Sequence, residues 1–220
     1  MSTEATTKVK ICGITRPQDA VDAVTLGADY IGVVLHAKSK RLVNVERAAE
    51  IVAAVRPFNR VVGLFVDVPH DLLRKLVDRL DLKFVQFHGS ETREDVDAPG
   101  LPAVIKVIRP DELSHWTNSR PKNLHALLLD TPGGGGSGKA NDWDAVEAAL
   151  ANVKPASGIW LAGGLTPENV GPIVARFRPE LVDLSSGVED GTPGVKSRAK
   201  IEAFIAEVKG RQEAKGDSQS

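Results

Sequence analysis

Eight short apolar runs recur along the chain, and most are followed by a segment with helical spacing. The runs are VKIC (9–12), YIGVVL (30–35), VVGLFV (61–66), FVQFH (84–88), AVIKVI (103–108), HALLLD (125–130), GIWLAG (158–163) and LVDLSS (181–186). Amphipathic segments lie between them, among them 17–27, 45–55 and 69–80, and 195–210 closes the series. Strands that read as nearly continuous apolar stretches are buried on both faces, as in a parallel sheet covered by helices. Eight such units in about 210 residues predict a closed (β/α)8 TIM barrel, with an open doubly wound sheet as the alternative. The segment around DELSHWTN is short and weakly periodic, so the fifth helix is the least defined. GGGGSG (133–138) has the composition of a linker but falls between a strand and a helix pattern, and it reads as a loop. The expectation is one domain over 1–220, with polar ends frayed at about 1–7 and 211–220.

Composition narrows the function. The formal net charge is −1, which gives no electrostatic footprint for nucleic acid or a membrane surface. No apolar run approaches the roughly 18 residues of a membrane span. MSTEATTKVK lacks the apolar core of a signal peptide. The single cysteine excludes an internal disulfide and fits a reducing compartment. The chain reads as cytoplasmic.

A barrel of this kind places its chemistry at the C-terminal strand ends. Read in order, those ends carry Cys12, the KSKR loop (38–41), Asp67, His88, Arg109, Asp130, Gly163-Gly164 and Ser185-Ser186-Gly187. Glycines let backbone N–H groups approach an anion, and the loops after strands 7 and 8 are the frequent phosphate site of barrel enzymes. Gly163, Gly164, Ser186 and Gly187 are therefore the phosphate-binding candidates; plain tight turns are the alternative. In AGGLTPENV, Thr166 is the expected helix N-cap with Pro167 at the first helical position.

Strand parity puts Lys10 on the same face as Cys12, inside the barrel. There it can favour the thiolate, where a buried cysteine would otherwise be a small hydrophobe. Parity also puts Lys10 opposite Asp183, and a buried ammonium requires a partner, so the two are expected to pair. Asp130 follows three leucines, and the next helix pattern starts only near Asp142, which disfavours a capping role. Partial burial would let it hold a proton near neutrality. A thiol base and a carboxylic acid at one barrel mouth suit proton transfer on a phosphorylated sugar. His88 ends the fourth run and Asp183 has the parity of a site residue; both are assigned to substrate binding.

The motifs VKICGIT, YIGVVLHAKSKR, VVGLFVD, VQFHGSE, LLLD with a glycine-rich loop and DW, LAGGLTPENV and VDLSSGVEDGTPGVK occur in this order over about residues 8–208. In that order they resemble the phosphoribosylanthranilate isomerase family of tryptophan biosynthesis. The resemblance implies a cofactor-free Amadori rearrangement of a small-molecule phosphoribosyl substrate; no metal is expected, and the sequence leaves monomer and homodimer open. It also implies that Cys12 is the general base, Asp130 the general acid, and Arg41 the group that holds the substrate carboxylate, with Gly13 leaving room for substrate. The family's common Ser-Pro-Arg is Ser39-Lys40-Arg41 here, which predicts a looser loop.

Two rival classes make distinct demands. A related sugar-phosphate epimerase would need paired carboxylates and metal-binding histidines, and a synthase of the indole-glycerol-phosphate type would need lysines at several strand ends. Lys106 lies two residues before the end of its strand pattern. A non-catalytic phosphoribosyl-binding protein would lack the acid or the base; Cys12 and Asp130 are both present.

Overall fold

In a computed structural model, residues 6–118, 120–130, 142–151 and 158–216 are described, with side chains of the last helix described to Gly210. The glycine-rich stretch 133–138 lies outside them.

The apolar runs become strands β1 (Lys8–Ile11), β2 (Tyr30–His36), β3 (Val61–Phe65), β4 (Phe84–Phe87), β5 (Ala103–Ile108), β6 (Leu124–Leu129), β7 (Ile159–Leu161) and β8 (Leu181–Leu184). They pair in parallel in sequence order, and β8 pairs with β1 to close the barrel. The side-chain period of two divides each strand between two cores. On β1, Val9 and Ile11 pack outward into the helix layer while Lys10 points inward, as does Cys12 just past the strand end. Tyr30, Val62, Ile105, Leu128, Trp160 and Leu181 fill the barrel interior. It is a packed core rather than a pore.

The outer layer is α1 (Pro17–Thr25), α2 (Val45–Ala54), α3 (His70–Leu80), α4 (Arg93–Val96), α5 (Leu113–Thr117), α6 (Trp143–Ala151), α7 (Val170–Phe177) and α8 (Arg198–Gly216). The weak fifth pattern yields a 3-10 turn at Pro110–Glu112 followed by five helical residues, anchored by buried Leu113 and Trp116. Helix α6 starts where its pattern did, with the Asp142 side chain accepting from the Ala145 N–H at 3.0 Å.

Most boundaries shift by a residue or two from the sequence reading, and those of the last two helices shift for identifiable reasons. Helix α7 starts at Val170 rather than Pro167, because Asn169 reaches back: its side chain accepts from Thr166 N–H at 2.8 Å and donates to the Gly164 carbonyl at 2.9 Å. Residues 167–169 form a turn, and Thr166 is not the residue before the helix. Helix α8 starts at Arg198 rather than Val195, because Lys196 is held in the loop by its N–H to Asp19 Oδ2 at 3.0 Å. It continues to Gly216, past Gly210. At the other end, buried Thr7 donates its hydroxyl to the Pro179 carbonyl at 2.9 Å. No helix of the described residues is long and apolar enough to cross a membrane.

Candidate active site

A cavity of about 610 Å³ opens at the C-terminal strand ends, within the range of small-molecule sites. Every site residue named from the sequence lines it except Gly187. Gly187 lies where the β8 loop abuts the β7 loop, and a β-carbon there would collide with the Leu165 carbonyl. It brings the two loops together rather than facing the cavity.

Cys12 is fixed by its N–H, which donates to Leu184 O at 2.8 Å across the β1–β8 seam. Lys10, fully buried, places its Nζ 3.0 Å from Asp183 Oδ1, the pairing that strand parity predicted. Burial pushes the Cys12 thiol up; the Lys10 charge and hydrogen bond pull it down, and the net position is above its ordinary value. The expected assistance from Lys10 is present, but it offsets only part of the desolvation. Burial pushes the Asp183 carboxyl up as well, Lys10 opposes it, and the charge of Asp130 adds to the rise.

Gly32 on β2 makes this arrangement possible. A β-carbon there would stand 2.7 Å from Cys12 Sγ and 3.2 Å from Lys10 Nζ. Gly13 has a different task from the one expected. Its φ of +70° lies in the left-handed region, and a β-carbon would collide with the Arg41 side chain. The space beside Gly13 is filled by Arg41, not left for substrate.

Asp130 follows β6, nine-tenths buried, with its N–H on Ile108 O at 3.2 Å. His88 Nε2 lies 3.7 Å from Asp130 Oδ2, too far for a direct hydrogen bond. Burial lowers the His88 pKa, so its ring is neutral at pH 7. One layer deeper on β4, Gln86 lines the cavity with a buried Oε1 that has no hydrogen-bond partner among the described residues. On the far side, Gly163 and Gly164 adopt consecutive positive φ values of 101° and 62°, a turn that glycine alone adopts readily.

Arg41 is doubly bound. Its Nε and Nη2 donate to Glu189 Oε1 and Oε2 at 2.6 and 2.8 Å. Glu189 also accepts from Gly194 N–H at 2.8 Å and from Lys196 Nζ at 3.2 Å. Burial pushes the Glu189 carboxyl up, but these donors outweigh it and hold the pKa at about 2. The loop carrying Arg41 is tied down without a proline: Ser39 Oγ accepts from Arg41 N–H at 3.1 Å, and Leu42 forms a bridge with Val34.

Two other strand-end residues face away from the cavity. Asp67 accepts from Ser90 N–H at 2.7 Å, and Arg109 pairs with Asp111 at 3.2 Å. Lys106 points into the outer layer, onto Glu91 at 2.9 Å and the Gly89 carbonyl at 2.6 Å. It lacks the cavity position that the synthase reading needs. Gly32, Gln86, Glu189 and Lys196 are the site features that position along the chain did not single out.

Residues 9–207 match the family described as N-(5'phosphoribosyl)anthranilate (PRA) isomerase. The chain belongs to the phosphoribosylanthranilate isomerase family. Among the family's proteins, the N-(5'-phosphoribosyl)anthranilate isomerase of Pseudomonas fluorescens is 44% identical over 212 residues, 93% of this chain and 97% of that one. The crystal structure of the Thermus thermophilus family member is 38% identical, with a TM-score of 0.77 over 91% of this chain and 97% of that one. Another solved family member, 33% identical, is in complex with reduced 1-(o-carboxyphenylamino)-1-deoxyribulose 5-phosphate. It has a TM-score of 0.76 and covers 93% of this chain and 99% of its own.

Proposed function

We propose that this chain converts N-(5-phosphoribosyl)anthranilate to 1-(2-carboxyphenylamino)-1-deoxyribulose 5-phosphate in tryptophan biosynthesis, with Cys12 as general base and Asp130 as general acid. The observation that carries the reading is their convergence. A thiol from β1 and a carboxyl from β6 line one cavity, which also holds the Gly163-Gly164 turn and Arg41.

In this reading the Asp130 carboxyl gives a proton to the furanose ring oxygen. The C1–O bond breaks, and the anilino nitrogen supplies the electrons that form an iminium. The Cys12 thiolate then removes the C2 proton, giving an enolamine. The C2 hydroxyl loses its proton and C1 gains one, leaving the 2-ketone. Atoms are conserved, and no redox partner is consumed. Lys10 assists because its charge favours the thiolate. The neutral His88 ring and Asp183 contact the substrate, Gly163, Gly164 and Ser186 take its phosphate, and Gly187 sets the spacing of the two phosphate loops. Arg41 meets the anthranilate carboxylate.

The reading assigns the chain to the cytoplasm, where a lone thiol base stays reduced, and treats it as one barrel domain acting as a monomer or homodimer. Complementation of a tryptophan auxotroph lacking this step, by the parent but not by Cys12→Ser, is the expected result. Failure of the parent to restore growth while its soluble protein accumulates would overturn it.

A further inference from the structure

We infer that Glu189 is a positioning residue for Arg41: it fixes the guanidinium so that a single edge is left to grip the substrate carboxylate. The inference rests on the reading of Arg41 given above.

A guanidinium offers two bidentate edges, one made by Nε and Nη2 and one by Nη1 and Nη2. Glu189 occupies the first, with both contacts inside 2.8 Å. Among the described residues, no hydrogen-bond partner meets Nη1, and Arg41 lines the cavity. The edge that remains therefore belongs to the side chain that faces the ligand space.

Glu189 is suited to holding rather than to proton transfer. Its two oxygens accept four donors: Arg41 Nε, Arg41 Nη2, the Gly194 N–H and Lys196 Nζ. Lys196 has a fully buried side chain and is itself fixed, donating to Ser185 O at 2.9 Å and to Ser185 Oγ at 3.3 Å. The space that a β-carbon on Gly13 would need is taken by Arg41 Cδ, so the side chain packs directly against that backbone. The Arg41 side chain is thus held by close packing at Gly13 and by a carboxylate that is itself anchored. A side chain with many rotamers loses little further entropy on binding when its geometry is already set.

The test is a cycle of two ligands and several enzymes. The ligands are the reduced product analogue, 1-(o-carboxyphenylamino)-1-deoxyribulose 5-phosphate in reduced form, and its counterpart without the ring carboxylate. Calorimetry gives the affinity ratio of the two for the parent, Arg41→Ala and Glu189→Gln. A role of Glu189 in loop integrity alone would weaken both ligands equally and leave the ratio unchanged. Positioning predicts that the parental ratio falls about tenfold in Glu189→Gln, the scale of one charge-assisted hydrogen bond lost from the carboxylate. It also predicts a ratio near one in Arg41→Ala. Glu189→Asp keeps the charge but shortens the reach, and its ratio should lie between those of the parent and Glu189→Gln; it serves as the readout if Glu189→Gln does not fold. A parental ratio in both Glu189 variants, with the ratio lost in Arg41→Ala, overturns the positioning role. A parental ratio in Arg41→Ala overturns the reading of Arg41 itself.

Discussion

Lys10 and Asp183 face each other in register across the seam that closes the barrel, Nζ to Oδ1 3.0 Å, with the lysine fully buried. Burial works to lower the ammonium pKa, but Asp183 and Cys12 outweigh it and leave it raised. Removing one partner leaves a buried charge uncompensated. Lys10→Met should cost about 3 to 5 kcal/mol in urea unfolding, whereas Lys10→Met with Asp183→Leu should cost clearly less than the sum of the single changes. Additive costs would mean that the two side chains do not act as a pair.

The thiol predicts a pH profile. Its pKa lies above the ordinary value, so only a small thiolate fraction exists at neutrality and the fraction grows with pH. The thiolate fraction climbs from neutrality into the alkaline range, whereas kcat/KM also requires Asp130 to keep its proton, so the thiolate is read directly by its reactivity. The rate of Cys12 alkylation by iodoacetamide should follow the same curve. Cys12→Ser should keep substrate binding and lose about 10² to 10⁴-fold in kcat. A flat profile together with a fully active serine variant would remove Cys12 as the base.

The barrel was legible because each parallel strand is buried on both faces and therefore reads as an apolar run. The runs overran the strands where a residue keeps inward parity but has already entered a loop. Cys12, Val66, His88 and Asp130 all do this, and for Cys12, His88 and Asp130 that place in the pattern is what marks them as site candidates. Thr166 resembles an N-cap in the sequence because its turn-closing partner, Asn169, looks there like an ordinary helix residue. Gly32, Glu189 and Lys196 left no local sign of their roles. The first acts by the volume it leaves for Cys12 and Lys10, and the second by contact with Arg41, 148 residues away. Strand parity could carry the Lys10–Asp183 pair because both lie on strands; no comparable rule places one loop against another.

Gly32 can be tested through its missing volume. Its φ is not in the left-handed region, so alanine adds no backbone strain there. The added methyl meets Cys12 Sγ at 2.7 Å and must displace it. Overpacking of this kind costs about 1 to 3 kcal/mol. Gly32→Ala should also lower kcat by about tenfold or more through the moved thiol, since small misplacements of catalytic groups are costly. Parental kcat in a variant shown by thermal unfolding to be destabilised would separate Cys12 placement from activity.

Glu189 predicts a stability effect in acid. Its folded pKa, about 2, lies below the usual carboxylate value of about 4.3. A depressed folded pKa adds stability above the unfolded value, and that contribution is lost as pH falls from about 4.5 toward 2. The full contribution is roughly 3 kcal/mol. Glu189→Gln should therefore narrow the difference between neutral and acid unfolding free energies relative to the parent. An unchanged pH dependence over that window would show that Glu189 is not held as the geometry requires.

Lys40 separates two effects at the cavity mouth. It is exposed and lines the entrance, one residue before Arg41. Proline there would fix its own φ and bias Ser39 toward extended backbone. Lysine does neither, and the loop relies instead on the Ser39 hydroxyl under the Arg41 N–H and on the Arg41–Glu189 contact. Those restraints, with the Leu42 N–H to Ser39 O bond at 3.2 Å, close a turn around Lys40 without fixing its φ covalently, and ordering a residue on binding costs roughly 1 to 2 kcal/mol. The Lys40 charge works in the opposite direction, because the substrate carries a phosphate and a carboxylate and a cation at the mouth raises its encounter rate. Salt screens that attraction but leaves the entropy cost unchanged, so ionic strength distinguishes them. Lys40→Pro should give a more protected loop in amide hydrogen exchange, together with a kcat/KM that depends less on ionic strength. Arg41→Lys should act differently, raising KM at every salt concentration because an ammonium cannot reproduce either the grip on Glu189 or the bidentate grip on a carboxylate. Identical salt dependence in Lys40→Pro and the parent would remove the steering role, and unchanged exchange at residues 37–42 would remove the ordering role.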